Sequence, residues 1–230
     1  MQSATPSSLA AELVEKLGKP IARGKWTTDS PFPTEQQLSA EHNLSRSVVR
    51  EAIKVLKSKG LVDSRPKRGA QILTRESWNY WDTDVLRWIE KDRKFFEDLA
   101  EFRLSVEPNV ASLCAERATS EQKERILNLA QDLKTYGENA QYDRYDEADF
   151  DFHQAIADAC GNVLMQQMMK TLNPLISLNR ARTHNLSEGV DATVPLHLSL
   201  ATAINKGQAK KAGSLMKQII EEARHFATNQ

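Results

Sequence analysis

The sequence predicts a mainly α protein in two parts, an N-terminal winged helix-turn-helix followed by an all-helical bundle. Three observations carry this. Apolar residues recur at helical spacing from Ser7 to Ser58 and again from residue 84 to residue 228. The one β-prone stretch is brief, residues 61 to 73, and surrounds a basic turn containing Pro66 and Gly69. The formal charge is zero overall but unevenly placed. Residues 1–75 hold 13 Lys and Arg against 7 Asp and Glu, and the remainder holds 18 against 24.

The first helix is expected from Ser7 to about Ala22, with Leu9, Leu13, Leu17 and Ile21 on one stripe, a serine at its start and Gly24 past its end. Pro31 and Pro33 then enforce an extended segment. Thr34 and Gln37 have the spacing of a capping box, so a short second helix begins there and Asn43 interrupts it. Ser45 caps a third helix that runs to about Ser58, where Gly60 stops it. Leu61 and Val62, the turn Arg65-Pro66-Lys67-Arg68-Gly69, then Ala70, Ile72 and Leu73 read as a hairpin. Beyond Arg75 breakers are few: Pro108, Pro174, Pro195 and scattered glycines. Stripes such as Leu99, Phe102, Val106 and Val110, or Ile126, Leu129, Ala130 and Leu133, predict six or seven packed helices. The expected domains are residues 1–75 and 76–230.

With 230 residues, 40% hydrophobic and 27% charged, the chain can bury a sizeable core. No apolar run approaches the ~20 residues of a membrane-spanning helix, and the first twenty residues lack the pattern of a secretory leader. Cys114 and Cys160 make no CxxC or zinc-finger spacing, so both are expected as buried thiols in a reducing cytoplasm. These features exclude membrane proteins and disulfide scaffolds.

The third helix is the most informative segment. Val49, Ile53 and Leu56 form an apolar stripe, and Arg46, Arg50, Lys54 and Lys57 a basic one. Such a helix suits a place between a protein core and phosphates. Its N-terminus adds unpaired N–H groups, and Arg46 lies in the first turn, where recognition helices reach base edges. The plainer alternative is a solvated basic face. Lys67 and Arg68 at the hairpin tip suit a wing gripping the DNA backbone or minor groove.

In the second part, Asp149 and His153 stand four apart on one helix face. With His197 they have the types of a two-histidine, one-carboxylate metal set; the alternative is two histidines paired with acidic neighbours. Arg103 sits on an otherwise apolar face and needs an anion, either Glu107 one turn away or a ligand carboxylate. Trp78, Tyr80, Trp81 and Trp88 read as packing at the domain junction.

Residues 32–62 resemble the DNA-binding region of the GntR family of bacterial transcription regulators. The resemblance rests on Pro33, Glu35, Leu38, Ser45, Arg46, Val49, Arg50, Glu51, Leu56, Gly60 and Leu61. It implies operator contacts from Ser45, Arg46, Ser47 and Arg50, from Arg68 and Gly69 on the wing, and from Gln36, where many relatives carry Arg. The helical remainder resembles the FCD effector domain of the FadR subfamily, through WNYWDTDVLRW at 78–88 and AEFRLSVEP at 100–108, in the manner of repressors of galactonate and related sugar-acid catabolism.

That second resemblance implies a homodimer on a pseudopalindromic operator, released by a small carboxylate such as a sugar acid. It places Arg103, Asp149, His153 and His197 at the effector, with Arg182 preferred among Arg180, Arg182 and His184 for its other end. It also implies a divalent metal (zinc, manganese or nickel) on Asp149, His153 and His197. The family's last histidine ligand falls where this chain has Ile219, a departure that weakens the expected affinity. A metal-free receptor, a metal-dependent enzyme on a sugar acid and an architectural DNA binder are the competing classes. No further acid, base or nucleophile supports an enzyme.

Overall fold

A computed structural model describes residues 6–65, 69–89, 93–172 and 187–228. The chain forms two compact units, residues 1–90 and 91–230.

In the first unit α1 spans Pro6–Ala22. It starts on proline, whose missing N–H costs nothing in a first turn, so Ser7 and Ser8 lie inside the helix rather than capping it. Thr34 caps α2, Glu35–His42, through a reciprocal capping box with Gln37, and Asn43 ends it in the left-handed conformation. Ser45 caps α3, Arg46–Ser58, its side chain accepting from the Val48 N–H. Strands β1, Val62–Arg65, and β2, Gly69–Ile72, pair antiparallel with Val62 opposite Ile72 and Arg65 opposite Gly69. Leu73 adds one more bond, its N–H donating to the Leu61 carbonyl at 3.0 Å.

The sequence reading places a break after residue 75, whereas the compact unit continues to residue 90. A 3-10 turn, Arg75–Ser77, leads to α4, Thr83–Trp88. Three contacts bind this segment to the N-terminal helices. Lys59 Nζ donates to both Asp82 oxygens at 2.8 Å and to Asp84 at 2.9 Å. Burial works against this ammonium, but its bonds to the two aspartates outweigh that and hold its pKa above the ordinary lysine value. Arg87 forms a two-point contact with Glu15 at 2.6 and 3.2 Å, and Trp88 Nε1 donates to the same carboxylate at 2.9 Å. The Trp88 ring lies against Gly18 where any Cβ would collide, so α1 and α4 approach closely only because residue 18 has no side chain. Trp78 and Trp88 are buried and Trp81 is exposed.

The second unit is helical among its described residues: α5 Arg93–Arg117, α6 Ser120–Glu138, α7 Tyr142–Ala159, α8 at residues 163–172, α9 Ser187–Asn205 and α10 Ala209–Thr228. Helices α5 and α9 run through Pro108 and Pro195 without ending. Helix α10 packs on α5 and α9, and α6 packs on α7 and α9. Val110, Cys114, Ile126, Leu133, Phe152, Ile156, Ile204, Met216 and Ile220 fill the core, each essentially removed from water. Burying a side chain of the Val, Leu, Ile or Phe kind contributes about 1.5–3 kcal/mol. Both cysteines are buried, and burial pushes the Cys114 thiol up to about 12. No described helix is long and apolar enough to cross a membrane.

Gly60 and Gly69 share a left-handed φ, 74° and 73°, but only Gly60 is crowded: a Cβ there would stand 2.1 Å from the Ser77 carbonyl oxygen. Gly69→Ala is expected to cost about 1–2 kcal/mol, the backbone penalty alone. Gly60→Ala is expected to cost a further 1–3 kcal/mol, roughly, from overpacking. Urea unfolding of the two variants checks the difference.

Candidate functional site

Two surfaces carry polar groups beyond what folding requires. The first is the outer face of α3. Val49, Ile53 and Leu56 dock it on the unit's core, each at 5% exposure or less. Arg46, Arg50, Lys54 and Lys57 all stand in solvent on the other side, as the two-stripe pattern predicts. Three of the four cations meet carboxylates of the chain. Arg50 Nε pairs with Glu35 at 2.8 Å, Lys54 with Glu51 at 3.5 Å and Lys57 with Asp63 at 2.8 Å. Among the described residues Arg46 alone of the four makes no ion pair. These pairs are solvent-exposed, a geometry worth about 0–1 kcal/mol, so a phosphate can replace the carboxylates at little cost. The contact from Glu35 uses only Nε of Arg50, so both terminal nitrogens remain for a bidentate acceptor.

Around Arg46, Ser45 and Ser47 share a hydroxyl–hydroxyl contact of 2.9 Å at the helix start. Gln36 is exposed on α2 and Gly69 opens β2. Lys67 and Arg68, expected at the wing tip, lie outside the described residues.

The second surface is internal. Arg103 and Glu107 from α5, Asp149 and His153 from α7, and His197 from α9 are all buried, with exposures of 3%, 0%, 2%, 2% and 2%. Arg103 finds the partner within the chain: its Nε donates to Glu107 Oε1 at 2.6 Å and its Nη2 to Oε2 at 3.4 Å. A guanidinium carries five N–H groups, so three are left over by Glu107. Glu107 Oε2 also lies 3.3 Å from His153 Nδ1. Burial acts to raise the Glu107 pKa; the positive charge of Arg103 and the contact with His153 outweigh it and hold the carboxyl down at about 2.

The two imidazoles are arranged alike. His153 has Nδ1 towards Glu107 and Nε2 3.8 Å from Asp149 Oδ1. His197 has Nδ1 2.8 Å from the Thr193 carbonyl and Nε2 2.9 Å from the same Asp149 oxygen. A carbonyl can only accept, so the His197 ring carries a proton at Nδ1 and turns Nε2, the atom a metal would take, towards Asp149; His153 Nδ1 lies near Glu107 without a well-formed hydrogen bond. Both Nε2 atoms therefore converge on one carboxylate. One ligand atom from each of Asp149, His153 and His197 falls within 4.8 Å of the other two. The donor set fits a divalent transition metal, with further coordination positions left to water or a ligand oxygen. The Phe152 ring makes a T-shaped contact with each imidazole, at centroid separations of 5.8 and 5.3 Å. Ile219 is buried on α10 and brings no ligand atom. Arg180, Arg182 and His184 lie outside the described residues.

Sequence reasoning singled out Arg103, Asp149, His153 and His197 by residue type and helical spacing. It missed the orienting groups: Glu35 behind Arg50, Glu107 behind His153 and the Thr193 carbonyl behind His197. Only Glu107 left a signal, its four-residue spacing from Arg103.

Both units of the chain match known proteins. Residues 9–72 match the family of bacterial regulatory proteins named gntR, and residues 98–222 match the FCD domain. The chain is 34% identical over 186 residues to the galactonate operon transcriptional repressor of Escherichia coli, covering 80% of this chain and 79% of that one. It is 29% identical to the HTH-type transcriptional repressor NanR of Cronobacter sakazakii, covering 96% and 85%. The solved structure of a Streptococcus agalactiae GntR protein superposes with a TM-score of 0.53 at 22% identity, covering 96% of this chain and 99% of that one.

Removing one partner of the buried pair leaves an uncompensated charge. Glu107→Ala is therefore expected to destabilise the protein by about 3–5 kcal/mol, whereas Arg103→Met with Glu107→Leu costs far less. Because the folded-state pKa of Glu107 lies below its ordinary 4.5, its contribution is present above about pH 4.5 and is lost as pH falls through about 2. Denaturant titrations of the variants at pH 7 and pH 3 check both the magnitude and the sign.

Proposed function

Because the chain belongs to the GntR family of bacterial regulatory proteins and carries an FCD domain, we propose that it is a repressor released from its operator by a small carboxylate. It is a transcription regulator and not an enzyme, as its relatives are. The finer reading is that two copies associate and present their α3 helices to a pseudopalindromic site in the cytoplasm, since closed two-fold pairing matches the symmetry of such operators. Ser45, Arg46, Ser47 and Arg50 contact the duplex, with Gln36 from α2 and Arg68 and Gly69 from the wing.

The observation that carries the effector reading is the polar cluster of α5, α7 and α9. A bundle that only had to fold would not bury three formal charges and two imidazoles at one place, because each charge must be recovered from desolvation. Asp149, His153 and His197 would hold a divalent zinc, manganese or nickel ion, which supplies a Lewis-acidic centre for a ligand oxygen. Glu107 and the Thr193 carbonyl orient the two imidazoles. Arg103 offers the N–H groups left over by Glu107 to the carboxylate, and Arg182 is assigned to its far end. A relative named for the galactonate operon supports a sugar acid as the effector class. A second reading, a metal-free receptor, draws support from the direct 2.9 Å contact between His197 and Asp149.

The effector acts through its differential affinity for two arrangements of the protein, and a coupling of ~1–3 kcal/mol weakens operator binding roughly 5–150-fold. The test begins with a duplex selected by the protein from a random library, read by fluorescence anisotropy. Galactonate with zinc should weaken binding by that factor and chelation should abolish the effect; an unchanged affinity refutes the effector reading, and release that survives chelation favours the metal-free one. Arg46→Ala should lose about 1–3 kcal/mol of affinity for the selected duplex while its melting temperature stays at the wild-type value. In Asp149→Ala the rise in melting temperature on adding zinc should disappear.

A further inference from the structure

We infer that Glu35 is a specificity-determining residue: by neutralising Arg50 from one edge only, it turns that arginine from a ligand of DNA phosphate into a reader of a guanine edge. The inference rests on the reading above that the outer face of α3 meets the operator, and it specifies what one of those contacts recognises.

The two side chains rise from anchored backbones. Glu35 stands in the first turn of α2, which the Thr34–Gln37 capping box fixes and the wholly buried Leu38 seats on the core. Arg50 follows Val49, also wholly buried, on α3. Fifteen positions apart in the chain, they meet at 2.8 Å between Arg50 Nε and Glu35 Oε2. Both remain in water, with side-chain exposures of 64% and 41%, so the pair adds little to folding. Folding therefore does not account for an acid on a surface offered to a polyanion.

What the pair does to Arg50 follows from the shape of its fork. A guanidinium grips an acceptor either along the edge that holds Nε or end-on through its two Nη atoms. Glu35 occupies Nε and closes the first way. The end remains open, and its two parallel donors match O6 and N7 of guanine. The charge changes as well. Beside Glu35 the guanidinium belongs to a neutral pair: a phosphate on Nε must displace the carboxylate, and one at the Nη end meets its negative charge nearby. The guanine acceptors carry no formal charge, so they take the same donors with the pair intact. Bulk DNA thereby loses an attraction that operator DNA keeps. An ammonium has no second edge to hold open, so Lys54 and Lys57 stay point charges whichever carboxylate stands beside them.

The experiment measures the full-length protein by fluorescence anisotropy on the duplex selected from a random library, on its single-base-pair variants and on an unrelated duplex, each over a range of salt. Glu35→Gln should bind the unrelated duplex more tightly, with a slope of log affinity against log salt steeper by about 0.9, as one more phosphate is neutralised. Its ratio of selected to unrelated affinity should fall about threefold to fivefold, and its discrimination should weaken at a G·C pair. Arg50→Lys keeps the charge and loses the fork, so it should forfeit roughly tenfold discrimination at that same pair. Adding Glu35→Gln to Arg50→Lys should then leave discrimination unchanged. Both residues are exposed, and melting temperatures at the wild-type value establish that the variants are folded. Glu35→Gln that weakens all duplexes alike, or leaves both ratio and slope unchanged, overturns the inference. Arg50→Ala that weakens every duplex equally and lowers the slope by about 0.9 marks Arg50 as a phosphate ligand, which overturns the inference and leaves the operator reading standing. If Arg50→Ala binds every duplex as wild type does, the assignment of Arg50 to the operator itself fails and this inference with it.

Discussion

A carboxylate fully withdrawn from water persists as an anion only if its charge is met within a few ångströms, and Arg103 meets that of Glu107 at 2.6 Å. The rest of the polar interior follows from this contact. Glu107 has a second oxygen, which faces His153 Nδ1, and the imidazole so held turns its other nitrogen towards Asp149. His197 reaches the same aspartate from α9 with its own Nδ1 on a backbone carbonyl. Three helices thus share one chain of contacts that runs from a guanidinium to two imidazoles and a shared aspartate. The surrounding core, Phe152 included, is buried and apolar, which strengthens each link.

The outer face of α3 obeys the opposite physics. There the charges remain in water, and the carboxylates of Glu35, Glu51 and Asp63 hold basic side chains without strongly binding them. Such exposed pairs are weak enough to be exchanged for a competing anion at little cost. The two units therefore use ion pairs for different ends: a fixed pair in the interior, exchangeable pairs at the surface.

Much of this was legible in the sequence because it is local. The capping box of Thr34 and Gln37, the cap at Ser45, the interruption at Asn43 and the hairpin each depend on residues a few positions apart. The Arg103–Glu107 alternative was visible for the same reason, since four residues make one helical turn. What escaped depends on distance in the chain. Helix α4 belongs to the first unit because Lys59 reaches Asp82 and Asp84, and because Glu15 reaches Arg87 and Trp88 across more than seventy residues. No pattern within a window announces that. Likewise, types and spacing named Asp149, His153 and His197, but which nitrogen of each ring faces inward is set by how α5, α7 and α9 rotate against one another.

The anchoring of α4 also bears on how such regulators diversify. A recombination that joined one reading head to a new sensor by cutting at the end of the hairpin would sever Lys59 from its two aspartates and strip the Trp88 ring from Gly18. A cut after residue 89 leaves both intact. The natural seam for shuffling, and for building hybrid biosensors, therefore lies behind Trp88, and the short helix travels with the head as its keel.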